Sequence, residues 1–299
     1  MRTRITDREL LLAVIAFALV TVIGLPAIAQ TYVPGGNPLL NTPTYDSAIL
    51  AEPSATHYWE MNDKPSSCTG TSYCTPGPCP STMADSIASG ATANPSPVPL
   101  VVATPTASPL PLCGVPSPLK DNETFAELNN NNGQQGDAFL IPSGIIGTMC
   151  NGNAGGTCSH AFSIECIVVP DFATTNNGFF FGDDTTNSNF AMFFNLTSGG
   201  GSLVYEHAGS TTSINGTTGS FVPYDVVYSN TGSTGALYVN GSNLLNALTV
   251  PTVAANVQSS FGLFGNSATY RGRIGKCSTY NTALTQIQVW THYLTSALP

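Results

Sequence analysis

The stretch RGRIGKCSTYNTALTQIQVWTHYL, residues 271–294, changes its period halfway. Up to Tyr280 it alternates as a strand does, which sets Ile274 on one side and Cys277 on the other. From Thr285 the pattern is helical. Thr285-x-x-Gln288 is a capping box, and Ile287, Trp290 and Leu294 recur on one apolar stripe. A single short helix after a last strand predicts a β-sandwich with that helix packed on it, the Ile287, Trp290 and Leu294 stripe turned inward.

Upstream text agrees. Phe190, Met192, Phe194 and Leu196 share one face of NFAMFFNL; Leu203, Tyr205 and His207 one face of SLVYEH; Val222, Tyr224, Val226 and Tyr228 one face of VPYDVVY. Glycine- and serine-rich turns separate these runs. In GALYVNGSNLL, Asn240-Gly241 lies between two apolar runs, the strongest short-range hairpin signal, because a type I′ turn needs positive φ at both central residues. Many short antiparallel strands define an all-β sandwich or jelly roll.

Charged residues make up only 8% of the 299-residue chain, against about a quarter in ordinary soluble domains. Solubility therefore rests on hydroxyl and amide side chains, an extracellular style of surface. The N-terminus fits export: three arginines in MRTRITDRE, an apolar run, then Ala27-Ile28-Ala29 before Gln30, the layout of a signal peptide over residues 1–29. Left uncleaved, residues 10–29 would instead be a membrane anchor, the only membrane contact foreseen. Losing Arg2, Arg4, Arg8, Asp7 and Glu9 leaves 5 basic and 15 acidic side chains, a net charge near −10. Phosphate binding needs clustered Lys and Arg, so nucleic acid is excluded as a partner. The one local basic cluster, Arg271, Arg273 and Lys276, reads as exposed positions flanking a strand.

Eight cysteines follow the export signal, an even number that reads as disulfides. Between Lys64 and Pro118 fall 12 of the 22 prolines and four of those cysteines, Cys68, Cys74, Cys79 and Cys113. Proline removes ladder donors and forbids helix. Residues 64–118 are therefore expected to be an irregular insertion outside the core, between a lead-in and first strand at 30–63 and a main body at 119–299.

With these pieces in place the sequence resembles the concanavalin A-like jelly rolls of the laminin G-like family. Segments similar to that family's occur in its order: AILAEPSATHYWEMND (48–63, with Tyr58-Trp59), AFSIECIVVP (161–170), GALYVNG (235–241) and GRIGKCSTYNTALTQIQVWTHY (272–293). SFVPYDVVYSN lacks the tryptophan and histidine often found before that hairpin, and Gly275-Lys276 stands where an acidic pair is common; these departures leave the fold and withhold inherited binding chemistry. The resemblance implies that the strands bearing Cys166 and Cys277 lie side by side and can be bridged. Cys150 and Cys158 would close a local loop, leaving three possible pairings among Cys68, Cys74, Cys79 and Cys113.

Glycosidases of this superfamily carry paired carboxylates on one strand, and no such run exists here. Glu60 and Asp63, and likewise Asp121 and Glu123, read as solvated rim charges. His57, His160, His207 and His292 are isolated in sequence. The candidate ligand site is GFFFGDDTTNSNF, where Asp183, Asp184, Asn187 and Asn189 crowd a loop with the oxygen donors calcium takes. Laminin G-like domains commonly hold such an ion at the sandwich rim, although the same text is also ordinary turn chemistry. The expectation is an exported or surface-attached, non-catalytic module recognising glycan or surface protein, with calcium the candidate cofactor. The alternatives are a structural, self-assembling component of a surface layer, filament or virion, and a polysaccharide hydrolase.

Overall fold

The computed structural model describes residues 43–65, 75–87, 99–103, 111–119, 123–129, 138–171, 178–183, 190–197, 200–264, 268–296 and 298, all within the compact unit Pro43–Pro299. Helix α1 is Tyr45–Ala51, α2 Ile145–Asn151 and α3 Gln286–Ser296. The strands are β1 (Ala55–Trp59), β2 (Gly77–Pro78), β3 (Thr82–Met83), β4 (Leu100–Ala103), β5 (Leu112–Pro116), β6 (Thr124–Asn129), β7 (Ala138–Ile141), β8 (Gly156–Thr157), β9 (Phe162–Pro170), β10 (Gly178–Asp183), β11 (Ala191–Thr197), β12 (Gly200–His207), β13 (Ser210–Thr218), β14 (Tyr224–Asn230), β15 (Gly235–Val239), β16 (Ser242–Leu248), β17 (Thr252–Val253), β18 (Ser259–Phe261), β19 (Leu263–Phe264), β20 (Ala268–Thr269) and β21 (Arg271–Tyr280).

Two antiparallel sheets carry the fold, a jelly-roll sandwich. One runs β16-β15-β14-β9-β21-β6-β5-β2, with β1 also paired to β21; the other runs β13-β12-β11-β10-β18-β7-β4-β3. The alternation in β11, β12 and β14 puts Phe190, Met192, Phe194, Leu203, Tyr205, Val226 and Tyr228 into one buried cluster fed by both sheets. Phe181 meets Phe190 edge-on and Phe190 meets Tyr228 tilted, each at 5.0 Å, and Tyr205 stacks on Tyr228 at 5.2 Å. Such pairs add about 0.5–1.5 kcal/mol beyond their buried area. The hairpin falls where Asn240-Gly241 places it, with φ of 49° and 73°; a Cβ on Gly241 would also strike Trp290 at 2.6 Å.

Residues 64–118 are not the irregular text their prolines suggest. Their described parts supply β2 and β5 to one sheet and β3 and β4 to the other. Met83, Leu100, Val102 and Cys113 are buried in the main core, and Cys79 is bonded to Cys113. β3 and β4 are free of proline, and β2 and β5 each end on one, Pro78 and Pro116, at a strand terminus where a missing donor is tolerated. Cys68 and Cys74 lie outside the described residues.

The closing strand departs from simple alternation. Its register on β9 shifts between Gly275 and Ser278, and Lys276 takes φ 55°, a bulge that inserts one residue and reverses the parity beyond it. Ile274 and Cys277 therefore both face the inter-sheet core instead of opposite sides. There Cys277 is bonded to Cys166 of β9, and Cys150 at the end of α2 is bonded to Cys158.

Helix α3 also corrects the sequence reading. The capping box is present, Thr285 N donating to Gln288 Oε1 at 2.9 Å and Gln288 N to Thr285 Oγ1 at 3.4 Å. The stripe is turned the other way: Ile287, Trp290 and Leu294 are 70%, 43% and 59% exposed, and Val289, His292 and Ser296 are buried. The sheet surface beneath explains it. β9 presents the Glu165 carboxylate there, fully buried. An unpaired buried charge costs more than an exposed apolar side chain gains, so the helix is rotated to bring His292 onto Glu165.

Candidate functional site

At one edge of the sandwich, a cleft of about 760 Å³ opens between the start of β1, the turn into α2, and the Asn153, His160 and Asn256 loops. Ligand sites typically occupy about 300–1,000 Å³. Its walls are held by local chemistry. Gly144, the α2 N-cap, has φ 85° and so takes a conformation costly for other residues. Asn153 and Asn256 clasp each other, Asn153 Nδ2 donating to Asn256 Oδ1 at 2.6 Å and Asn256 N to Asn153 Oδ1 at 2.7 Å. The Cys150–Cys158 bond ties the end of α2 to the loop that carries His160.

His57 lines the cleft and is 3% exposed, its ring stacked on Trp59 at 5.2 Å. Its Nδ1 lies 2.8 Å from Asp85 Oδ2. The other oxygen of Asp85 accepts Tyr58 N at 3.0 Å and Ile87 N at 3.1 Å. A carboxylate held in this way orients the ring: with the proton of a neutral imidazole on Nδ1, Nε2 is the nitrogen that can accept. Nε2 meets no partner among the described residues. Ser143, Thr148, Asn256 and Asn281 add polar groups; Ile145, Met149 and Ala161 add apolar surface. No Lys, Arg, Asp or Glu is among the lining residues. His57 and His160, separated by about a hundred positions, converge here, and no spacing in the sequence signals it.

A second histidine pair lies on the outer face of the first sheet, beneath α1 and α3. Glu165 accepts from Tyr45 at 2.8 Å, Tyr280 at 2.6 Å and His292 Nδ1 at 3.0 Å. Burial alone would push the Glu165 carboxyl up, but the His292 charge and these three bonds hold it below its usual range. Burial would likewise lower His292, and Glu165 holds it above the ordinary imidazole value. Desolvation and the neighbouring Glu165 push Asp225, fully buried on the same face, well above a normal carboxyl. This network has no opening to solvent: it is a joint.

The rim charges converge rather than scatter. Ligand oxygens of Asp46, Glu60 and Glu123 lie within 4.8 Å of one another, spacing that suits a metal ion. The Lys276 ammonium occupies the centre: 2.7 Å from Asp46, 4.0 Å from Glu60, and hydrogen-bonded to Glu123. Burial would lower Lys276, yet Asp46 and Glu123 raise it, so it stays charged; Glu123 is raised, by burial ahead of the opposing lysine. A fixed cation among the carboxylates supplies the charge a metal would supply, so the residues do not fit an additional ion while Lys276 is in place. Lys276 is thus no exposed flank. Arg271 and Arg273 pair with Asp171 and Glu127 at 2.6 and 3.4 Å.

Of the calcium candidates, Asp184, Asn187 and Asn189 lie outside the described residues, as does Asp121. Asp183 is not in a loop: it ends β10, paired with Ser259, and is fully buried. Asp63 accepts from Ala84 N, and His207 stacks on Tyr205.

Fold and site together define a disulfide-bonded jelly-roll sandwich with a cleft at its edge whose largely apolar walls carry amides, hydroxyls and two imidazoles and hold no Lys, Arg, Asp or Glu. No family model matches the chain, and no curated protein matches it. Solved structures do match in fold. The binding domain of botulinum neurotoxin DC, in complex with rat synaptotagmin II, is 9% identical over 81% of this chain, with a TM-score of 0.50; the chain spans 51% of that protein. Domain 4 of AbnA, a GH43 extracellular arabinanase from Geobacillus stearothermophilus in complex with arabinotriose, is 16% identical over 80% of this chain and 99% of its own, with a TM-score of 0.48. Trypanosoma rangeli sialidase in complex with sialic acid is 13% identical over 97% of this chain and 39% of its own, at 0.49. At these identities the likeness is one of fold. Among the described residues no helix is long and apolar enough to cross a membrane.

Proposed function

We propose that the protein is an extracellular, non-catalytic recognition module that holds a glycan or a surface protein in the cleft beside His57. The observation that carries this reading is the cleft itself: about 760 Å³, floored by a buried, oriented imidazole and edged by amides and hydroxyls. The three disulfides among the described residues support an oxidising location. The lining supports recognition without cleavage, since among the described residues it holds no pair of carboxylates to act as acid and nucleophile. Calcium remains an accessory at Asp183 and Asp184. The test is a glycan array and a panel of extracellular protein surfaces, each probed with and without calcium, alongside a reducing-sugar assay on polysaccharides. Retention without turnover is expected; release of reducing ends would replace the reading with a hydrolase.

A second reading, a component of a self-assembling surface layer, filament or virion, is favoured by one observation. Ile287, Trp290 and Leu294 form an exposed apolar stripe, the kind of surface that associates. Ordered arrays of the purified chain in micrographs, with no ligand retained, would select it.

A further inference from the structure

We infer that the cleft is a subsite for an uncharged, hydroxyl-rich ligand, a neutral glycan, and that His57 Nε2 is its central hydrogen-bond acceptor. The inference rests on the recognition reading above and narrows it to one ligand class and one site.

A carboxylate, sulfate or phosphate entering the cleft would find none of the Lys or Arg that charged oxygens require, and burying it unpaired is costly. A chain with 17 acidic and 8 basic side chains also repels anions before contact. A cationic ligand fares no better, because the one adjacent carboxylate, Asp85, is committed to His57 and to two backbone N–H groups. Apart from the His160 imidazole, the unspent groups are amides and hydroxyls of both kinds, with His57 Nε2 beside them. Asn153 and the Asn256 carbonyl are consumed by their mutual clasp, which leaves the Asn256 NH₂ as a donor. The Asn281 amide, whose backbone N–H goes to Ser54 O, offers donor and acceptor. The Thr148 hydroxyl offers both, and His57 Nε2 accepts. Interleaved donors and acceptors are what a hydroxyl, itself donor and acceptor, can satisfy. Ile145, Met149 and Ala161 present apolar surface for the C–H face of a sugar ring.

His57 matters most because it is both buried and fixed. Its Nδ1 is held by Asp85 and its face by Trp59, so Nε2 loses no side-chain entropy when it binds. A site lined only by flexible surface amides would lack such an anchor.

The experiment uses the full chain on an array of neutral, sialylated and sulfated oligosaccharides, followed by calorimetry with the best-retained neutral oligosaccharide. Two variants at exposed cleft positions, Asn281→Ala and Thr148→Glu, are compared with Ile287→Ser on the far helix. Neutral glycans are expected to be retained above acidic ones. Asn281→Ala should weaken binding about three- to tenfold, one hydrogen bond's worth. Thr148→Glu should abolish it, and Ile287→Ser should leave it unchanged; thermal melts confirm that all three fold. Retention unaffected by both cleft variants would overturn the site while leaving recognition standing. Preference for sialylated or sulfated glycans, or retention of proteins alone, would overturn the ligand class. Binding to nothing on array or protein panel would remove the recognition reading itself.

Discussion

Two histidine–carboxylate pairs of nearly equal geometry, His57–Asp85 at 2.8 Å and His292–Glu165 at 3.0 Å, serve opposite ends. Both imidazoles are 3% exposed. The difference lies in what surrounds them. Glu165 spends its oxygens on two tyrosines and one histidine from α1, β21 and α3, so it fastens both helices to the sheet. Asp85 spends its oxygens on local backbone and on orienting His57, whose second nitrogen is left toward the cleft. Equal chemistry thus gives a rivet in one place and an aimed acceptor in the other, decided by whether the partners are distant or local.

The largest expected break falls on the rivet. Glu165→Ala removes the shared acceptor and leaves buried donors and the His292 charge uncompensated, a loss of about 3–5 kcal/mol readable as a fall in the urea midpoint. A cost near that of a surface substitution would refute the assignment. Next comes the rotation of α3. Val289→Ala, emptying a buried site, should cost about 2 kcal/mol, whereas Ile287→Ser should stay within about 0.5 kcal/mol; the reverse order would restore the stripe facing inward.

Proton linkage gives a smaller effect. His292 is held above its unfolded value by Glu165, so its contribution is complete below the unfolded pKa and is lost as pH rises through the folded one. Asp225, raised by burial, acts in the same direction. Glu165 is lowered, and its contribution is lost only as pH falls through its folded value. The melting temperature should therefore decline from neutral to alkaline pH, with a ceiling of about 1.4 kcal/mol per pH unit for each proton. His292→Gln, compared over the same pH series, should flatten the curve.

The smallest stability effect accompanies the sharpest functional one. Asp85→Asn keeps a carbonyl for Tyr58 N and Ile87 N but presents an NH₂ to His57. The ring must then accept at Nδ1 and carry its proton on Nε2. Stability should fall by only about 1 kcal/mol, while affinity for a neutral oligosaccharide falls roughly tenfold because the acceptor has become a donor. Calorimetry and melting on the same sample separate the two.

Much of this molecule follows from local sequence. The period of two through Phe190, Met192 and Phe194, through Leu203 and Tyr205, and through Tyr224, Val226 and Tyr228 is obeyed, with Val222 left exposed before the strand begins; the Asn240-Gly241 turn and the Thr285–Gln288 box are obeyed too, because turn dihedrals and caps are settled within a few residues. Family likeness supplied the Cys166–Cys277 neighbourhood.

Tertiary structure decided the rest. The bulge at Lys276 reversed the parity of β21 and brought Cys277 to the same side as Ile274, and nothing in RGRIGKCSTY marks an extra residue. Burial of Glu165 determined which face of α3 turned inward, against the helix's own apolar stripe. Asp46, Glu60 and Glu123 became one cluster only because β21 carries Lys276 between them. The cleft joins positions from Thr56 to Asn281 through loops distant in sequence. Charge pairing and concavity depend on which strands the sheet sets side by side, and no periodicity along a chain encodes that.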